Sequence, residues 1–252
     1  MRTANSELRF NYRLDFAYDG TGFRGYARNL GVRTVQGVLE DALGTVLGSV
    51  PKTSVAGRTD AGVHARHNVV SFPWSEAIVD PQLFHRSISS LVGPEVTVDR
   101  VRRVADAFDA RFSATGRSYR YFVDERPTAD PMQRHRVWHV QERLDLDRMN
   151  RAAAAFIGLH DFSSLCRKSP SRSPERRVVE ARWHRDRGRL VYAVRASSFC
   201  HQLVRSMVAL CVDAGRGKVD PDSVSEIIEA RDRHESRGVA PAHGLTLWKV
   251  EY

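Results

Sequence analysis

Residues 176–196, RRVVEARWHRDRGRLVYAVRA, decide the fold class. Residues 176–184 and 189–196 are each strand-length and carry Val, Trp and Tyr, and the short polar turn at 186–188 separates them. That pattern predicts a β-hairpin. A hairpin is an antiparallel pair, whereas parallel neighbours need a long crossover. Working outward, residues 118–123 place Tyr119, Tyr121 and Val123 on one face of a further strand. Residues 11–18 alternate, with Tyr12, Leu14, Phe16 and Tyr18 on one face, and Asp19-Gly20 then breaks the run. Strands are predicted also at 53–56, 68–72, 96–104 and 245–252. A helix capped by Thr34 and running to about Leu47 carries Val35, Val38, Leu39, Ala42, Leu43, Val46 and Leu47 as its apolar stripe. Further helices are predicted at 81–92, 144–157, 199–214 and 222–230. Strands and helices mix without strict βαβ alternation, so the fold class is α+β with a largely antiparallel sheet. A boundary near 105–115 divides the chain into halves of similar make-up, 1–108 and 109–252.

The chain has 252 residues, enough for one or two domains and a core of its own. Its 42% hydrophobic and 27% charged content excludes a disordered or collagen-like chain. No apolar run reaches the roughly 18 to 20 residues that span a membrane. The start MRTANSELRF has no apolar h-region, so no secretory signal is expected. Cys166, Cys200 and Cys211 are too few and too scattered for a disulfide framework, and Cys200 is expected to pack. A reducing cytoplasm is the expected setting. The net charge is +9, and only four of the 39 basic residues are lysines. Arginine offers phosphates a planar bidentate fork, so the balance points to a polyanionic partner, with an arginine-favouring genome as the bland alternative. Residues 167–177 (RKSPSRSPERR) and 230–238 (ARDRHESRG) read as charged surface segments, solubilising or clamping a phosphate backbone.

Residues 56–65, AGRTDAGVHA, carry the chemistry. Gly57 and Gly62 permit tight backbone, and Arg58 and Asp60 lie between them. An aspartate on a glycine-flanked loop between strands is placed to meet a ligand, or else to pair with Arg58 for structure alone. A carboxylate is ionised at neutral pH and acts as a nucleophile without a separate base. His64 and His67 are three apart but flank a loop and a strand, so no metal is expected there. The chain shows no phosphate-cradling Gly-Lys loop and no zinc pattern. The stripe Leu203, Val204, Met207 and Val208 reads as core, with Arg205 off it.

GRTDAGVHA resembles the active-site motif of the tRNA pseudouridine synthase A family. Five other segments resemble that family in order and spacing: YDGTGF (18–23), RTVQGVLEDAL (33–43), ARFSATGRSYRYFV (110–123), HQLVRSMV (201–208) and PAHGLTLWKVEY (241–252). The resemblance implies a pseudouridine synthase fold, two similar α/β halves forming a continuous, mainly antiparallel sheet flanked by helices. It implies isomerisation of uridine to pseudouridine at positions 38 to 40 of the tRNA anticodon stem-loop, by a cytoplasmic homodimer. Asp60 matches the catalytic aspartate and Arg58 the arginine that pairs with it. Tyr119 matches the tyrosine that packs on the flipped base, Leu245 the apolar residue near it, and Arg205 an arginine of the RNA-facing helix. Action on another RNA, or RNA binding without turnover, are the alternatives. Tyr26, Ala27, Gln202 and Ser206 depart from the family pattern, which bears on peripheral RNA contacts rather than on the nucleophile. The reaction breaks an N-glycosidic bond, turns the base and forms a C–C bond, with no net gain of electrons or groups. No cofactor is therefore expected. The target base must leave its stack, at a cost of a few kcal/mol.

Overall fold

The computed structural model describes residues 10–167, 173–236 and 238–252. The described residues form a mixed α+β protein that divides into two compact units, one up to residue 114 with Tyr252, and one from 115 to 251. The first unit contains β1 (Phe10–Tyr18), α1 (Val35–Leu47), β2 (Ser54–Val55), β3 (His64–Trp74), α2 (Pro81–Leu91) and β4 (Val96–Val104). Its strands run β4-β1-β3, with β2 on β3, all antiparallel. Tyr12, Leu14, Phe16 and Tyr18 of β1 are buried on one face, as their alternation predicts. Thr34 caps α1, its hydroxyl accepting the Gly37 N–H at 3.2 Å, and Val35, Leu39, Ala42 and Leu43 turn inward.

The second unit contains β5 (Gly116–Asp124), β6 (Trp138–His139), α3 (Leu146–Ala154), β7 (Gly158–Asp161), β8 (Glu175–Asp186), β9 (Arg189–Ala196), α4 (Leu203–Gly215), α5 (Val224–Glu229) and β10 (Leu245–Glu251). Its order is β10-β5-β9-β8-β7, antiparallel throughout, with β6 added parallel to β5. The predicted hairpin is β8–β9, closed by Arg187 and Gly188. Almost every side chain of α4 is buried, as suits a helix apolar nearly all round. No helix among the described residues is long and apolar enough to cross a membrane.

Three readings need correction. β3 begins at His64, four residues before the predicted start, because its antiparallel pairing with β1 runs on past Asn68 to Ala65, opposite Tyr18. α4 begins at Leu203 rather than 199: Gln202 is left-handed (φ 69°), and the residues before it are held by cross-links. Those cross-links overturn the expectation for the cysteines. Cys166 and Cys200 form a disulfide, with Cα atoms 5.8 Å apart, and only Cys211 is free and buried. The Arg167 N–H also donates to the His201 carbonyl, at 3.0 Å. Residues 168–172 of the basic stretch and residue 237 of the second charged segment lie outside the described residues, while Glu175–Arg177 belong to β8.

Candidate active site

The AGRTDAGVHA loop is held from below by buried polar side chains. Asn68 of β3 is fully buried, and its amide grips both backbone groups of Gly57. Its Oδ1 accepts the Gly57 N–H at 3.3 Å, and its Nδ2 donates to the Gly57 carbonyl at 2.8 Å. Next along the loop, Arg58 is exposed and Thr59 is buried. The Thr59 hydroxyl lies 2.8 Å from the Tyr18 hydroxyl, and the Thr59 carbonyl accepts the Tyr26 N–H at 3.0 Å. Burial pushes the Tyr18 phenol up to about 12, hydrogen bonds from Thr59 and Asn68 offsetting this in part, so it stays neutral. Asp60 is partly exposed. It opens a β-turn in which its carbonyl accepts the Val63 N–H at 3.2 Å and Gly62 takes φ 79°, the positive value that type II turns require at this position.

Two glycines let the preceding turn close on this loop. A Cβ on Gly20 would lie 2.1 Å from the Val63 carbonyl oxygen. Gly25, at φ 97°, presses against the Thr59 carbonyl and the Ala61 nitrogen, where a Cβ would sit at 3.1 and 3.3 Å. The Gly20 N–H donates to His64 Nδ1 at 3.0 Å, and His67 Nε2 meets Asp15 at 3.0 Å, so both histidines engage protein partners. Among the described residues no cluster of three or more His, Cys, Asp or Glu is placed to hold a metal ion.

In the second unit Tyr119 and Tyr121 share a face of β5, and Leu247 and Leu245 oppose them on β10. Tyr119 is buried, its ring edge-on to Phe199 at 5.1 Å. Tyr121 is core: it is fully buried, and its hydroxyl donates to the Pro241 carbonyl at 2.8 Å. Arg205 is half-buried; its Nε donates to the Ala240 carbonyl at 2.8 Å, and the Ala240 N–H returns a bond to the Arg205 carbonyl at 3.1 Å. Arg205 and Tyr121 thus pin the segment that delivers Leu245, which is itself buried. Arg58 and Asp60 lie on one loop of the first unit; Tyr119, Leu245 and Arg205 belong to the second.

The departures from the family pattern also find places. Tyr26 is 1% exposed and packs against Phe16 with ring centroids 6.4 Å apart, so it is core rather than a surface contact. Ser206 is fully buried, and Gln202 accepts a bond from Arg233 at 2.7 Å. Sequence reasoning missed Tyr18, Thr59, Asn68 and the two close-packed glycines as parts of the site. The available signal was an asparagine opening an apolar run, and a tyrosine where the β1 alternation would accept phenylalanine.

Residues 152–252 match the family model described as tRNA pseudouridine synthase. A tRNA pseudouridine synthase A from Leifsonia xyli is 42% identical over 96% of this chain and 91% of its own length. The chain belongs to the tRNA pseudouridine synthase A family. Synthases of this name from Streptomyces griseus and Bacillus subtilis are 40% and 36% identical, over 95% and 94% of this chain and 87% and 96% of their own lengths. As a member of the tRNA pseudouridine synthase A family, the chain is an isomerase.

Proposed function

We propose that this chain converts uridine to pseudouridine at positions 38 to 40 of the tRNA anticodon stem-loop, with Asp60 as the nucleophile. The observation that carries the reading is the Asp60 loop: a partly exposed carboxylate at the head of a turn, with its flanking backbone fixed on both sides. A fixed carboxylate attacks without waiting for a base or for reorganisation. Addition of Asp60 to the ribose C1′, or to C6 of the base, leads to the same exchange. The C1′–N1 bond breaks, a C1′–C5 bond forms, the C5 proton leaves and N1 takes one up. Arg58 steadies the carboxylate, Tyr119 and Leu245 pack on the flipped base, and Arg205 serves on the RNA-facing helix. A net charge of +9, carried mostly by arginine, suits a tRNA partner. The same reading makes the working form a cytoplasmic homodimer that needs no cofactor.

The test is tritium release from an unmodified tRNA transcript labelled at C5 of uridine, for the native chain and Asp60→Ala. Release by the native chain alone supports the reading. Release by both removes Asp60 as nucleophile. Release by neither, with tRNA still bound, points to another RNA substrate or to binding without turnover.

A further inference from the structure

We propose that Tyr18, Thr59 and Asn68 form a buried positioning clasp that fixes the Asp60 carboxylate for attack, an inference that rests on the reading of Asp60 as nucleophile. All three are polar and all three are buried, at 4%, 9% and 0% exposed. Packing does not demand polar groups there. Leu14 and Phe16 fill the same face of β1, and a phenylalanine at 18 would fill the same space as the tyrosine ring. What the polar atoms reach is the backbone leading into Asp60. The Tyr18 hydroxyl meets the Thr59 hydroxyl at 2.8 Å, one residue before the carboxylate. On β3, the Asn68 amide holds both backbone groups of Gly57. Asn68 Oδ1 further accepts the Val69 N–H at 2.9 Å, which locks the amide in β3.

The clasp thus joins two strands, β1 and β3, to the two residues on either side of Arg58. On the far side of Asp60 the backbone is held by the turn bond to Val63 and the close approach of Gly25 to Ala61. The near side depends on side-chain hydrogen bonds, and the neutral Tyr18 phenol keeps its proton to offer across the working pH range. Loss of those bonds loosens the peptide before Asp60, which keeps its backbone bond from Tyr26, while leaving the exposed surface around Arg58 unaltered. A misplacement of about 1 Å at a reacting group costs on the order of a hundredfold in rate. The clasp should therefore be read in the chemical step and not in tRNA binding.

The experiment compares single-turnover tritium release and tRNA affinity for the full-length native chain, Tyr18→Phe, Thr59→Val, Thr59→Ser and the Tyr18→Phe/Thr59→Val pair, all well below their melting temperatures. The expected result is a rate lower by roughly 10- to 100-fold for Tyr18→Phe and Thr59→Val, with tRNA affinity within about twofold of native. Thr59→Ser, which keeps the hydroxyl, should recover most of the rate. The double variant should be no slower than the slower single one, since both single changes remove the same Tyr18–Thr59 hydrogen bond. Native rates in the folded single variants overturn the proposal, as does a loss confined to tRNA affinity, or a Thr59→Ser variant as slow as Thr59→Val. If Tyr18→Phe fails to fold, the Thr59 pair decides alone. Asp60→Ala separates the two levels: turnover by it removes the nucleophile reading itself, whereas an inactive Asp60→Ala beside fully active clasp variants removes only the clasp.

Discussion

Asp15 shows how a single buried charge is kept on this sheet. Its carboxylate accepts from Arg13 Nε at 3.0 and 3.2 Å, and lies 3.0 Å from His67 Nε2. Arg13 in turn lies over the Tyr252 ring at 4.3 Å. Burial alone would raise the Asp15 pKa; the bonds from His67 and Arg13 together outweigh it and hold the carboxyl below its usual range. A carboxyl depressed in the folded state contributes stability above its unfolded value of about 4, and that contribution fades as pH falls through the lower folded value. Asp15→Asn should thus cost on the order of 3 kcal/mol at pH 7, because it strands the Arg13 charge in a buried site. Urea unfolding of both chains at neutral and acid pH checks this. The gap should narrow markedly below about pH 3; an equal gap at both pH values would show that the ion pair is not its source. None of this was legible in the sequence. Arg13 and Asp15 read there as the polar face of an alternating strand, and His67 as a loop-flanking histidine, because the register that joins β1 to β3 is a long-range property.

Elements were legible where their causes are local. The β8–β9 turn has Arg187 at φ 49° and Gly188 at φ 79°, between the paired Asp186 and Arg189. Two positive φ values match the twist of the flanking strands, and this is the turn that Asn-Gly favours. Arginine in the left-handed region is strained where asparagine is not. Arg187→Asn is expected to stabilise the protein by roughly 0.5 kcal/mol, read as a small rise in melting temperature at unchanged activity. A fall would mean that the Arg187 side chain makes a contact worth more than the strain. The α1 start was equally legible, since a threonine cap acts within one turn. The start of α4 was not. Its apolar pattern continues back toward Phe199, and only a disulfide, a backbone bond from Arg167 to His201 and a left-handed Gln202 stop the helix at Leu203. The short strands β6 and β7 were likewise missed, because two to four residues carry too little periodicity to register.

At the scale of the whole chain, the Cys166–Cys200 link spans 34 residues of sequence and ties the β7–β8 connection to the segment that enters α4. Closing a loop of this length restricts the unfolded chain, by roughly 3 to 4 kcal/mol in the chain-entropy account. Reduction should lower stability by up to that amount in guanidinium unfolding, and Cys200→Ser should show the reduced value with or without dithiothreitol. If reductant leaves the native midpoint unmoved, the link is absent in solution. By itself the sequence determined the fold class, the order of most elements, the hairpin, the Asp60 motif and the family, because each is written in local periodicity, turn chemistry or an ordered set of motifs. Only the tertiary structure decided that Tyr18, Thr59 and Asn68 meet beneath the Asp60 loop, that Arg205 and Tyr121 pin the path to Leu245, and that two of three scattered cysteines are bonded. The physical reason is range. A hydrogen bond or disulfide between residues tens of positions apart depends on strand register and packing, which no window of sequence contains.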